Sequence, residues 1–159
     1  MATEVNEVLK LAYETANGTL RDQDVTLANL RNRATGLLGA VAIGTSFAAS
    51  VGLLTTDPGS QTLPAWAGWT MLVLVIFIGG TVMLTLWPTT DWKYGVQAAA
   101  LLANSARSID DVHQQAAQAM VAAAASNEEL LNRRFLAYRV GVVALILEVV
   151  VLVVGVLLV

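Results

Sequence analysis

Three stretches of the chain are almost purely apolar, and the residues between them recur at helical spacing. The first, from about Ala34 to Leu54, contains no charged residue. The second runs from about Ala65 to Trp87, and the third, from Phe135 to Val159, is rich in Val and Leu and interrupted only by Glu148. At about 1.5 Å per residue, roughly 20 residues cross the hydrocarbon of a bilayer. The pattern therefore predicts an all-α integral membrane protein with three transmembrane helices and long cytoplasmic helices. Its expected parts are a cytoplasmic amphipathic helix over 1–34, a first span over 35–54, an external loop over 55–65, a second span over 66–87, a cytoplasmic helical region over 88–134 and a third span over 135–159.

The polar segments carry their own stripes. Val5, Leu9, Ala12, Ala16, Leu20, Leu27, Leu30 and Ala34 follow three- and four-residue steps, one face of a helix. The stripe weakens around Gly18 and Arg21 to Asp24, where a bend or register change is expected. Ala98, Leu102, Ser105, Ile109, Val112, Ala116, Ala119 or Met120, Ala123 and Leu130 repeat the pattern. Ser126-Asn127-Glu128-Glu129 has the spacing of a capping box, so a fresh helix could start there and feed the third span. A stripe this long must pack on the amino-terminal helix, on itself after a turn, or on another subunit. The turn chemistry of Asp57-Pro58-Gly59 and Pro64 fits a loop, and Pro88 fits a stop.

Charge fixes an orientation. All nine Lys and Arg fall within residues 1–34 and 88–139, whereas the 55–65 connector and the carboxyl end carry none. Basic residues beside membrane spans stay cytoplasmic, so the amino end is expected inside and the carboxyl end outside. Trp66, Trp69, Trp87 and Trp92 bracket the second span, as two interfacial belts would. With 56% hydrophobic and 13% charged residues, the composition lies outside the soluble range. A net charge of −3 argues against a nucleic-acid polymer as partner. The lack of cysteine removes disulfides, thiolate metal sites and thiol nucleophiles.

Candidate chemistry is sparse. Glu148 falls midway along the third span, where an ionised acid costs about 3 kcal/mol on insertion scales, so the neutral acid is the expected form. Thr45 and Ser46 of the first span and Thr81 of the second reach similar depth and are its expected hydrogen-bond partners. Three readings stay open: a neutral acid tying helices together, a ring of acids lining a pore in an oligomer, or proton or cation exchange. Gly36, Ala40, Gly44, Ala48 and Gly52 recur every four residues, and with Gly79 and Gly80 they offer close backbone packing, within the chain or between copies of a homo-oligomer. Arg21, Arg31, Arg33, Arg133 and Arg134 could contact a head group or small anion. His113 and Asp110 are one turn apart, but two ligands without a third rarely hold a metal, so no metal or cofactor is expected. No hydrolase, metalloprotease or phosphate-loop motif is present, and no enzyme activity is expected.

The stretch Leu27-Ala28-Asn29-Leu30-Arg31-Asn32-Arg33-Ala34-Thr35-Gly36-Leu37-Leu38-Gly39 resembles the start of small bacterial membrane effectors of the Pycsar and SLATT kinds. Glu128-Glu129-Leu130-Leu131-Asn132-Arg133-Arg134-Phe135-Leu136-Ala137-Tyr138-Arg139 is similar to the matching part of the Pycsar type. The resemblance implies an antiphage effector, held idle until a signalling nucleotide or a partner protein triggers assembly that breaches the membrane. No nucleotide-binding domain is recognisable, so a signal would act on the cytoplasmic helices or through a separate protein. The competing expectation is a non-conducting membrane scaffold or accessory subunit that binds a partner through those helices.

Overall fold

The computed structural model describes residues 2–53, 64–96 and 108–158, with side chains of the first stretch from residue 7 to residue 50. Three helices make up these residues, α1 (Ala2–Leu53), α2 (Ala65–Leu86) and α3 (Ile109–Leu157), and no strand occurs among them. The all-α expectation holds. Residues 55–63 of the expected loop, the side chain of Gly52, and Ala98, Leu102 and Ser105 lie outside the described residues.

Local chemistry sets the helix ends. The carbonyl of Pro64 receives the Ala67 and Gly68 amides at 2.9 and 3.3 Å, opening α2. Pro88, two residues past Leu86, offers no amide to continue the helix. Ser108 opens α3: its Oγ accepts from the Asp111 amide at 3.2 Å and donates to Asp111 Oδ2 at 2.7 Å. This satisfies one of the orphan donors of a helix start, worth about 1 kcal/mol. The start expected at Ser126 is absent. α3 runs through it unbroken: Ser126 is helical itself, and Asn127 is committed to the Lys93 backbone.

α1 is one continuous helix through Gly18 to Asp24, the stretch where a bend or register change is expected. Its covered or partly covered positions include the run Tyr13, Ala16, Leu20, Gln23, Leu27, Leu30, Ala34, Leu37, Val41, Gly44 and Ala48, in alternating steps of three and four. Gln23 fills the position where the apolar stripe lapses, and its Nε2 donates to the Ala124 carbonyl at 2.9 Å. On α3 the matching series is His113, Met120, Asn127, Arg134, Gly141, Glu148 and Gly155, one residue in seven. A repeat of seven over two turns is the signature of helices packed side by side.

The chain divides into two units. The first comprises Met1–Asn29 and Pro88–Arg133. Its centre is Ala16, Leu20, Met120 and Ala123, with Tyr13, Val96 and Ala124 against them. The stripe beyond residue 88 thus packs on the amino-terminal helix. Burying a Leu20 or Met120 side chain contributes about 2 kcal/mol each. The non-helical residues 88–96 are pinned to both helices of this unit. Trp92 Nε1 donates to Asp24 Oδ1 at 2.7 Å, and Asn127 brackets Lys93, accepting from its amide at 3.1 Å and donating to its carbonyl at 2.9 Å. Gly95 sits at φ +88°, where a Cβ would be strained and would also lie 3.2 Å from Leu20 Cδ1. Trp92 is therefore no belt residue: it is 7% exposed and its indole N–H has a protein acceptor in Asp24, whereas Trp66, Trp69 and Trp87 are exposed.

The second unit comprises Leu30–Trp87 and Arg134–Val159. Ala34, Leu37, Val41, Ile78, Val82 and Ala144 form its core. Its outer face is the apolar one: Ile43, Phe47, Val73, Ile76, Phe77, Leu84, Val143 and Ile146 are all exposed. Two helices are long and apolar enough to cross a membrane, Ala65–Leu86 and Ile109–Leu157, and only 28% and 22% of their most apolar windows are buried. A core helix of a soluble protein would show the reverse. The first span expected at 35–54 is not the third of these. Gly36, Gly39, Gly44, Thr45, Ser46 and Ser50 dilute its apolar run, and its last residues fall outside the described side chains.

Candidate functional site

Among the described residues, the interior of the second unit holds one carboxyl. Glu148 is 2% exposed, and neither of its oxygens has a hydrogen-bond partner among the described residues. Gly44 of α1 faces it: a Cβ at that position would sit in ordinary contact, 3.8 Å from Glu148 Oε1. The packing glycine of α1 and the mid-helix acid of α3, two features that sequence singles out separately, form one site.

The partners expected for Glu148 are engaged elsewhere. Thr45 Oγ1 donates to the Val41 carbonyl at 2.8 Å, Ser46 Oγ to Ala42 at 2.7 Å and Thr81 Oγ1 to Ile78 at 2.8 Å. In an apolar setting a hydroxyl bonds the carbonyl three or four residues back, which is always within reach. Thr81 instead abuts Gly141, where a Cβ would fall 2.5 Å from its Oγ1. Nothing in sequence marks Gly141 apart from its place seven residues before Glu148.

Only part of the small-residue series belongs to this site. Gly36 and Ala40 are exposed, Gly44 and Ala48 partly covered. A step of four residues overshoots a full turn by about 40°, so a four-residue series drifts across a contact stripe of period 3.5. No atom lies within 4 Å of a Cβ built at Gly36, Gly79 or Gly80. Gly80 opens instead onto a shallow apolar groove with Phe77, Met83, Leu84 and Trp87.

The arginines separate by role. Arg134 is 7% exposed and closes the carboxyl end of α2, donating to the Thr85 carbonyl at 3.1 Å and to the Trp87 carbonyl at 2.6 Å. Those carbonyls are among the orphan acceptors of a helix end, where a cation is favoured. Arg31 has a buried Nε without a partner. Arg21 and Arg33 are exposed, and Arg133 pairs with Glu129 at 2.7 Å on an exposed face. His113 stacks at a tilt on Tyr13, with ring centroids 5.6 Å apart, and no group of three or more His, Asp or Glu suited to a metal occurs among the described residues.

Chemically, the site is a single acid in an apolar enclosure with no described second acid, base or nucleophile beside it. Such a group can hold or release a proton and can donate one hydrogen bond. No protein family, curated protein or solved structure matches this chain.

Proposed function

We propose that the chain is a three-span bacterial inner-membrane protein, amino end inside, whose copies assemble into a membrane-breaching effector of antiphage defence, as its resemblance to Pycsar and SLATT effectors implies. The observation that carries the reading is Glu148, sealed without a hydrogen-bond partner inside a unit whose outer face is apolar. Turned inward, this acid cannot line a pore between copies until the helices rotate or part. The single chain is thus the closed, idle form. Buried, the acid is held neutral; it can ionise only where water reaches it, so at neutral pH an opened arrangement gains the free energy of that ionisation.

Dye release from liposomes carrying the purified protein tests this. Assembled wild type is expected to release dye, and Glu148→Leu to cut the rate by at least about tenfold by removing the group that draws water in. Protein that remains monomeric in bilayers, or oligomers that never leak, would sink the effector reading. The second outcome leaves a non-conducting scaffold, which binds its partner through the helices of the first unit.

A further inference from the structure

In the second unit a shallow groove runs between α2 and α3, lined by Leu74 and Phe77 of α2 and by Val140, Val143, Ala144 and Leu147 of α3. Its volume is about 370 Å³, enough to seat a ligand or a length of chain. Arg139 stands at its end, the first of its residues along α3. That side chain is exposed and makes no hydrogen bond or ion pair among the described residues. A cation at the head of an apolar trough matches a molecule that is anionic at one end and apolar along its length. The spans of a second copy offer no described acid to meet it. The one described acid of the unit, Glu148, is 2% exposed and faces Gly44, and nine residues along α3 put it about 180° round the helix from Arg139.

We propose that this groove holds an acyl chain of an anionic phospholipid whose phosphate is bound by Arg139. Phosphate oxygens match the guanidinium fork. The depth is right for a lipid. Arg134 donates to the Thr85 and Trp87 carbonyls, which sets its level on α3 at the carboxyl end of α2, where the exposed Trp87 ring is of the type that settles among head groups. Arg139 starts about 7.5 Å further along α3, but helix side chains lean toward the amino end, so its long side chain snorkels back toward that level. From there the groove follows α3 for about 12 Å, as far as Leu147, into the apolar depth where an acyl chain lies. Basic pockets between membrane helices on the cytoplasmic side hold acidic head groups. The inference rests on the membrane reading.

The test uses the full chain in nanodiscs of phosphatidylcholine, with and without phosphatidylglycerol, and counts by native mass spectrometry the lipids that stay bound on release. Wild type is expected to retain phosphatidylglycerol over phosphatidylcholine. Arg139→Gln should lower that preference about fivefold, the weight of one cation at an acidic head group, and Arg139→Lys, which keeps the charge but not the fork, should fall between. Val143→Trp, which fills the groove, should lower retention of both lipids. The exposed Arg33→Gln, elsewhere on the same unit, should behave as wild type. A preference unchanged by Arg139→Gln overturns the site, as does an equal loss with Arg33→Gln, which would mean diffuse attraction. Full retention by Val143→Trp would show that no chain lies in the groove. If inorganic phosphate displaces the bound lipid from detergent-solubilised protein, the ligand is a free anion and the lipid assignment falls. A chain that fails to enter nanodiscs sinks the membrane reading and this site with it, whereas one that enters without lipid preference sinks this site alone.

Discussion

The hydroxyl of Thr81 occupies the space in which Gly141 would carry a side chain: a Cβ on Gly141 falls 2.5 Å from Thr81 Oγ1 and 3.1 Å from Leu37 Cδ2. Thr81 cannot swing aside freely, because its hydroxyl is bonded to the Ile78 carbonyl at 2.8 Å. Gly141→Ala is therefore expected to destabilise the second unit by about 1–3 kcal/mol, despite the better helix propensity of alanine. Thermal unfolding in mild detergent, followed by circular dichroism, measures it. Thr81→Ala in the same chain should recover part of the loss, since the two changes share one contact. An unchanged midpoint for Gly141→Ala would show that the helices do not meet there.

Gly36 and Gly44 lie two turns apart on one helix yet should respond differently. With no atom within 4 Å of a Cβ at Gly36, Gly36→Leu is expected to leave the unfolding midpoint of the isolated chain within about 0.5 kcal/mol of wild type. If the open part of the small-residue face joins copies, the same change should shift the mass distribution in bilayers toward monomer. Gly44→Leu, by contrast, drives a large side chain at Glu148 Oε1, 3.8 Å from the Cβ position, and should lower the midpoint itself. Equal midpoints for the two variants would refute the assignment of Gly44 to the interior.

In the first unit, the bond from Trp92 Nε1 to Asp24 Oδ1 joins residues 68 positions apart at 2.7 Å. A hydrogen bond to a charged acceptor contributes about 1.5–3 kcal/mol net. Trp92→Phe keeps most of the apolar bulk, deletes the donor and should cost an amount in that range. Asp24→Ala should cost little more when added to Trp92→Phe, and the double-mutant cycle measures their coupling. Additive losses would mean that burial of the ring, rather than its N–H, holds residues 88–96 in place.

The helices were legible in sequence because each is long and strongly patterned: α2 was expected at 66–87 and is found at Ala65–Leu86. Contacts that depend on a distant chain segment were not. Trp92 reads as one more interfacial tryptophan until Asp24 is seen to accept from it. Ser108 and Ser126 both precede an acid by three residues, and only Ser108, itself outside the helix, caps. Within the site, Glu148 and Gly44 were each legible as an acid at mid-helix and a small residue in series. Their juxtaposition was not, because it depends on a seven-residue register that the four-residue spacing of Gly36, Ala40 and Gly44 obscures. The hydroxyls of Thr45, Ser46 and Thr81 were matched to Glu148 by depth alone, which omits the nearer carbonyls of their own helices.

Asn127 offers the most selective probe of the first unit. It is 1% exposed, and its amide accepts from the Lys93 N–H at 3.1 Å while donating to the Lys93 carbonyl at 2.9 Å. Asn127→Ala leaves both backbone groups without that partner, at an expected cost of about 1–3 kcal/mol. Because the Lys93 side chain itself is exposed, trypsin reports on the change directly. Cleavage after Lys93 follows the population of the opened segment and should accelerate by about tenfold for each 1.4 kcal/mol lost. Asn127→Asp separates the two bonds. At neutral pH the introduced carboxylate can still accept from the amide but faces the Lys93 carbonyl with no donor. Burial and that carbonyl both favour its protonated form, so its folded pKa lies above the unfolded one. The sign follows: protection is greatest below the unfolded pKa and is lost as pH rises through the folded one. A tryptic rate for Asn127→Ala equal to that of wild type would show that Asn127 does not hold this segment.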